Sequence, residues 1–190
     1  MRRLTEMTLV VVVLLLAAGC AKQQVVRTPE PLEQEIKTPY DVLEKNIYSS
    51  SKPFIGKQYK EGANPDKSQY SDCSNLICAV TRKSLKGSGF EFKPYYLPAD
   101  KIYDMSYEIE KSEIRPGDLM FFTDSKSSQN HVGLITRIHR ATVYFVQASS
   151  QVGVVESSTN SDAWDYYWKR RFDSFRRWRK IVFKEIGLKY

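Results

Sequence analysis

The chain has 190 residues, 42% of them hydrophobic and 27% charged, with a formal net charge of +7. That apolar share is ample for a buried core, and the absence of internal repeats excludes a solenoid or array. A basic balance suits an anionic surface, whether membrane, cell wall or nucleic acid.

The N-terminus decides against nucleic acid, because it has the layout of an export leader. Arg2 and Arg3 give a positive start, "MTLVVVVLLLAA" supplies an apolar run, and small residues lead into Cys20. The run is short for a bilayer, where a spanning helix needs roughly 20 such residues. The stretch "LLLAAGC" resembles the bacterial lipoprotein signal. That resemblance implies cleavage before Cys20, a lipid on Cys20, and residues 1–19 as the signal. Ala17 stands where leucine is most common in that signal. Ala21 rather than aspartate follows the cysteine, which in Gram-negative lipoproteins favours the outer membrane. The expected location is therefore the cell envelope, lipid-anchored and facing the periplasm. The leader carries +1 through Arg2, Arg3 and Glu6, so the remainder carries +6.

Residues 20–52 read as a tether, with three prolines and alternating charge in "RTPEPLEQEIKTPY". A short helix, "PYDVLEKNIYSSS", closes it. About 30 extended residues at roughly 3 Å each reach on the order of 90 Å. The domain is expected over 53–190. Gly56, Gly62 and Pro65 mark a loop-rich start. "CSNLICAVTRKSLKG" has helical spacing, with Asp72 as N-cap and Gly87 and Gly89 as the stop. Residues 90–113 read as irregular. After "RPGD" come strand-like runs, "LMFFTD", "HVGLITRI", "TVYFVQASS" and "VGVVESS". One helix followed by an antiparallel meander gives an α+β fold.

Cys73 and Cys78 separate on this reading. Five residues apart on one helix they lie about 140° apart around the axis, outside disulfide reach. Cys78 falls on the buried side, a small core hydrophobe. Cys73 sits at a helix N-terminus, where unpaired N–H groups and the macrodipole favour a thiolate. The chain has only two histidines, His131 and His139. His139 lies in a polar turn, while His131 opens a strand. A hairpin centred on His139 pairs His131 with Gln147 and Ile135 with Val143, and stacks Val132 and Leu134 near Val146 and Tyr144 on the other face. A thiol, a base and a polar group to orient the base follow the logic of nucleophilic catalysis.

The order "GKQYKEGANP", "DCSN", "RPGDLMFF", "HVGLI", "VQASSQVGVV" and "YYWKRRFDSFRRW" resembles the NlpC-type cell-wall cysteine peptidases, from about Gly56 to Trp178. The resemblance implies a papain-like α+β fold and hydrolysis of peptidoglycan stem peptides, most often between D-glutamate and a diamino acid. It makes Cys73 the nucleophile, His131 the base and Gln147 the third polar residue. Tyr59 matches the tyrosine beside the cysteine and joins the Cys73 N–H as an oxyanion donor. Asp72 and Ser74 fall where relatives contact the substrate's amino end. Two positions depart from the pattern, since Asn75 replaces a usual glycine and Gln147 a usual histidine.

No metal or other cofactor is expected, since two histidines and one reactive thiol offer no zinc-ligand spacing. Expected partners are stem peptides and, through the lipid, a membrane, with the protein a monomer. "SDAWDYYWKRRFDSFRRWRK" reads as a packed terminal element with a basic outer edge, or as a contact with acidic wall or lipid headgroups. The tyrosines of "KPYYLPADKIYDMSYE" line a groove or pack a loop. Two other functions stay open: a non-catalytic wall-binding lipoprotein on the same fold, and an amidase or acyltransferase using the same thiol.

Overall fold

The helix that begins at Cys73 packs into the core on one face of a six-stranded sheet. A computed structural model describes residues 38–124 and 127–187. In chain order the elements are α1 (Pro39–Ser51), β1 (Gln58–Tyr59), β2 (Tyr70–Ser71), α2 (Cys73–Ser84), β3 (Phe90–Phe92), α3 (Ala99–Asp104), β4 (Ser106–Ile109), β5 (Leu119–Asp124), β6 (Ser127–His139), β7 (Thr142–Ser149), β8 (Gly153–Ser158), β9 (Phe172–Trp178) and β10 (Phe183–Glu185). One π-helical turn, Trp164–Trp168, precedes β9. The sheet order is β4-β9-β5-β6-β7-β8, and every neighbouring pair is antiparallel. The class is α+β, in agreement with the sequence.

Alternation along the strands divides their side chains between two cores. Leu119, Phe121, Val132, Leu134, Val146 and Ala148 meet Leu43 and Ile47 of α1 and Leu76, Ile77 and Val80 of α2. Met120, Phe122, Ile135, Val143 and Phe145 form the other core, with Trp164, Trp168, Phe172 and Phe175 packed on it. Burying one such side chain fully is worth about 1.5–3 kcal/mol, so each layer is a substantial share of the net stability.

The second layer comes from the basic, aromatic C-terminal segment. Its strand β9 pairs with β5, not with β8, and buries Trp178 completely. Two of its cations are used inside the fold. Arg177 Nε donates to Asp118 Oδ1 at 2.8 Å, and Arg176 Nε donates to Ser106 Oγ at 3.0 Å. Lys169 and Arg170 remain exposed. The segment is thus a packed terminal element with a basic outer edge.

Two sequence readings need correction. The helix expected to close the tether forms over Pro39–Ser51, capped by Thr38, but it belongs to the domain. Val42, Leu43 and Ile47 are buried in the same core as α2. The domain therefore begins no later than Thr38, rather than at residue 53. Gly117 of "RPGD" shows how closely α1 sits: a Cβ there would lie 2.8 Å from Leu43 Cβ, and its φ of +96° suits glycine. Residues 90–113 are also not irregular, since they form β3, α3 and β4. Their short lengths and prolines hid them. The signal, Cys20 and residues 20–37 lie outside the described residues. No helix among the described residues is long and apolar enough to cross a membrane.

Candidate active site

The first turn of α2 is fixed by one carboxylate. Asp72, the N-cap, accepts from the Asn75 N–H at 2.7 Å and from Ser74 Oγ at 3.0 Å through Oδ1. Its Oδ2 accepts from the Gly62 N–H at 2.8 Å and from Asn75 Nδ2 at 3.2 Å. Asn75 Nδ2 also donates to the Ala63 carbonyl at 3.0 Å. Asn75 thus ties the helix start to the preceding loop. Asp72 and Ser74 line the cleft, yet both are buried and bonded to each other. Their first task is to set the angle at which Cys73 leaves the helix.

That angle aims Cys73 into a cleft of about 610 Å³, lined among others by Tyr59, Glu61, Asp72, Tyr96 and Asp100. Tyr59 stands beside the cysteine because β1 pairs with β2 in register Tyr59–Ser71, two residues before Cys73. Tyr96 hydrogen-bonds Asn64 and Asp66, and Arg82 Nη2 reaches Asp66 at 2.8 Å, which pins this wall to the opposite loop. Of the tyrosines in 94–108, Tyr96 lines the cleft, while Tyr103 packs edge-on against buried Phe121. Both readings of that stretch hold, for different residues.

The thiol does not behave as helix position alone suggests. Burial pushes Cys73 up to about 11, the Asp72 carboxylate adds to this, and N–H donation from Val132, Ser74 and Cys73 opposes it without prevailing. His131 is pushed down to about 4 by burial, against the opposing effect of its hydrogen bond to Gln147 Oε1. Burial thus favours the neutral thiol and the neutral imidazole. Burial, followed by the nearby Cys73, also raises the Tyr59 hydroxyl, which keeps it a hydrogen-bond donor.

His131 and Gln147 meet directly, with His131 Nε2 and Gln147 Oε1 2.6 Å apart. The hairpin register that brings them together differs from the expected one. Its turn is Arg140–Ala141, between the His139–Thr142 pair, and Ile135 faces Phe145 rather than Val143. Thr136 is an extra residue in β6, between the Ile135–Phe145 and Arg137–Tyr144 pairs. Without that bulge the outer register would run on to set Gln147 across from Leu134, facing away from His131. With it, Gln147 continues across from Gly133 and diagonal to His131, on the same face. Gly133 has its own reason to be small, since a Cβ there would lie 2.7 Å from the Phe145 ring. Leu134 pairs with Val146 and Tyr144 with Arg137, where the expected register set Val146 across from Val132 and Tyr144 across from Leu134.

Two further residues complete the surroundings of His131. Trp168 stacks on its ring at 4.9 Å between centroids and 24° between planes. Ser157 accepts a hydrogen bond from Gln147 Nε2 at 2.8 Å. Nothing in the sequence pointed either of them at His131. Trp168 was one aromatic among many, and Ser157 was the end of a strand-like run. Cys73 is tied to the Val132 N–H, one residue from His131 along β6, rather than to the imidazole itself. His139 is exposed at the hairpin turn, and Cys78 is buried with its thiol pushed up to about 12 by burial. Among the described residues no group of three or more His, Cys, Asp or Glu gathers to hold a metal.

Comparison with known proteins identifies the family. The profile of the NlpC/P60 family matches residues 56–177. A "Probable endopeptidase" of Haemophilus influenzae is 31% identical over 111 residues, 54% of this chain and 64% of that protein. The Escherichia coli "Murein DD-endopeptidase MepS/Murein LD-carboxypeptidase" is 32% identical over 124 residues, 64% of this chain and 56% of that protein. The chain thus spans less than two thirds of the length of these two relatives. The "Probable endopeptidase NlpC" of E. coli is 26% identical over 171 residues, 89% of this chain and 97% of that protein. A crystal structure of an NLP/P60-family protein from Staphylococcus aureus, described as similar to lipoprotein, shares the fold. Its TM-score is 0.51 at 24% identity, over 71% of this chain and 41% of that one. With the family profile matching residues 56–177, more than half of its length, this chain belongs to the NlpC/P60 family.

Proposed function

We propose that this chain is a cysteine endopeptidase of the cell envelope that cleaves stem-peptide bonds in peptidoglycan by a Cys73-His131-Gln147 mechanism. The observation that carries this reading is the bond between His131 Nε2 and Gln147 Oε1. A carboxamide oxygen only accepts, so Nε2 holds the ring proton and Nδ1 is the nitrogen left to act as base. Nδ1 takes the Cys73 proton as the sulfur attacks the scissile carbonyl. The Cys73 N–H and the protonated Tyr59 hydroxyl support the oxyanion, and one such donor is worth roughly 3–4 kcal/mol. His131 then gives its proton to the leaving amine. In the second half it takes a proton from water, whose oxygen attacks the thioester and releases the thiol. On this reading proton transfer accompanies attack, because burial favours the neutral forms of both groups.

Glu61, Asp72 and Asp100 give the cleft an acidic lining that suits the ammonium group of a stem peptide. The bond we propose is D-glutamyl–diamino acid. The name of the E. coli relative adds DD- and LD-linked bonds as competitors. Asn75 and Gln147 are both engaged in the site, so neither departure reads as decay toward a non-catalytic binder. Cys20, through its lipid, would hold the enzyme at the outer membrane, on the strength of "LLLAAGC".

The test is mass spectrometry of purified peptidoglycan digested by wild type and by Cys73→Ala. The expected result is soluble fragments with new D-glutamyl and diamino-acid termini, absent with the variant. New termini at the sugar–peptide bond would instead mark an amidase. Undigested wall with folded wild-type protein would refute the enzyme reading. For the anchor, Cys20→Ala should release active protein into the soluble fraction. Variant that still sediments with the outer membrane would refute lipid as the anchor.

A further inference from the structure

Gln147 has two chemically different ends of nearly the same shape. Its Oε1 lies 2.6 Å from His131 Nε2, and its Nε2 donates to Ser157 Oγ at 2.8 Å. The side chain is 1% exposed, so water has little part in choosing between the two orientations of the amide. A half-turn of that amide would present an N–H to His131 Nε2. The ring nitrogen would then have to accept, and the ring proton would move to Nδ1. An imidazole protonated at Nδ1 cannot take a proton there from the thiol. The imidazolium formed during the reaction is more restrictive still, because both its nitrogens donate and only Oε1 can face it.

We propose that Ser157 is a positioning residue of this site: its hydroxyl accepts from the Gln147 amide while Oε1 faces His131, so the orientation that leaves Nδ1 free as the base has no unpaired amide N–H. The proposal rests on the thiol reading above. The fold supplies the contact by strand register. Gln147 pairs with Val155 across β7 and β8, so Ser157 is its diagonal neighbour on the same face. Replacing the hydroxyl by a methyl group leaves the buried amide two choices. In the present orientation its N–H₂ loses its acceptor. In the flipped one the N–H₂ donates to His131 and only the carbonyl goes without a partner. Buried N–H groups are left unpaired more rarely than carbonyls, so the flipped state gains.

The experiment uses full-length protein with ¹⁵N-labelled histidine. The chain has two histidines, and exposed His139→Gln assigns the signals. In wild type the ring shifts of His131 should show the proton on Nε2. In Ser157→Ala the population should move toward the Nδ1-protonated form, with kcat on peptidoglycan down roughly tenfold, equivalent to ~1.4 kcal/mol. Ser157→Thr, which keeps the hydroxyl, should restore both readouts. An unchanged tautomer in folded Ser157→Ala overturns the proposal even if activity falls, because the residue would then be only structural. A shifted tautomer with unchanged kcat overturns it as well. Cys73→Ala is the separate control. If that variant stays active the thiol mechanism is wrong, while the tautomer measurement still reports whether Ser157 orients His131.

Discussion

The two sides of the candidate active site are built in opposite ways. Cys73 is placed by its sequence neighbours: Asp72 binds Gly62, Ser74 and Asn75, all within a short stretch of chain. His131 is placed by tertiary assembly, through Gln147 on β7, Ser157 on β8, Trp168 from the π-helical turn and Phe122 on β5. A local cap forms with its helix. A base held by four separate elements depends on the whole sheet and on the segment that closes it. The nucleophile should therefore tolerate distant change, and the base should not.

The largest effect expected comes from removing the reacting groups themselves. Cys73→Ala should lower kcat on peptidoglycan by on the order of 10⁴-fold or more, and His131→Ala nearly as much. Cys78→Ser should keep most activity, since that thiol is buried in the core. Comparable losses in Cys73→Ala and Cys78→Ser, with folding intact, would remove the distinction between the two cysteines. Gln147→Ala comes next, with kcat lower by roughly 10–100-fold, or about 1.4–2.7 kcal/mol of barrier. Gln147→His should retain substantial activity, because an imidazole can also accept the ring N–H. A wild-type kcat in Gln147→Ala would mean that the base is oriented by something else.

A smaller change is expected in the pH profile. The proposed mechanism needs neutral His131, so kcat/KM should fall as pH drops through about 4 rather than through the ordinary 6.5. Trp168→Ala uncovers the imidazole and should move that limb upward toward 6.5, while Trp168→Phe should move it less. An acid limb already near 6.5 in wild type would show that the ring is not shielded. The same depression links to stability. Between pH 6.5 and about 4 the unfolded chain takes up a proton that native His131 refuses, so stability falls as pH falls through that window. The smallest effect is on the cysteine side. Asn75→Gly forfeits the bonds to Ala63 and Asp72, about 1 kcal/mol, and should lower Tm by roughly 2–4 °C in calorimetry.

The same contrast explains what could be read in advance. Asp72 as N-cap, Cys73 in the first helical turn and buried Cys78 follow from short-range pattern, and the structure has them there. The pairing of His131 with Gln147 was also legible, although through a register two residues out of step. An even error keeps side chains on the same face, which is why the partner was right when the register was not. Trp168 and Ser157 were not legible, because their roles depend on β9 crossing to β5 and on β8 folding back beside β7. Helix α1 was found but misassigned. Its proline and charges resembled a linker, and only packing shows Val42, Leu43 and Ile47 to be core. The thiol was misjudged for a related reason. Helix position is a local property, whereas the burial that outweighs it is not.

The bulge at Thr136 has a consequence for how this chain can change in length. A residue gained or lost in β6 between the bulge and His131, or in β7 between Phe145 and Gln147, would turn one partner to the opposite face. Two residues gained or lost in both arms alike would keep the two side chains on one face and in register with each other. Insertions and deletions in this hairpin are thus filtered by parity, so that natural drift and loop engineering alike can lengthen or shorten these arms only in even steps.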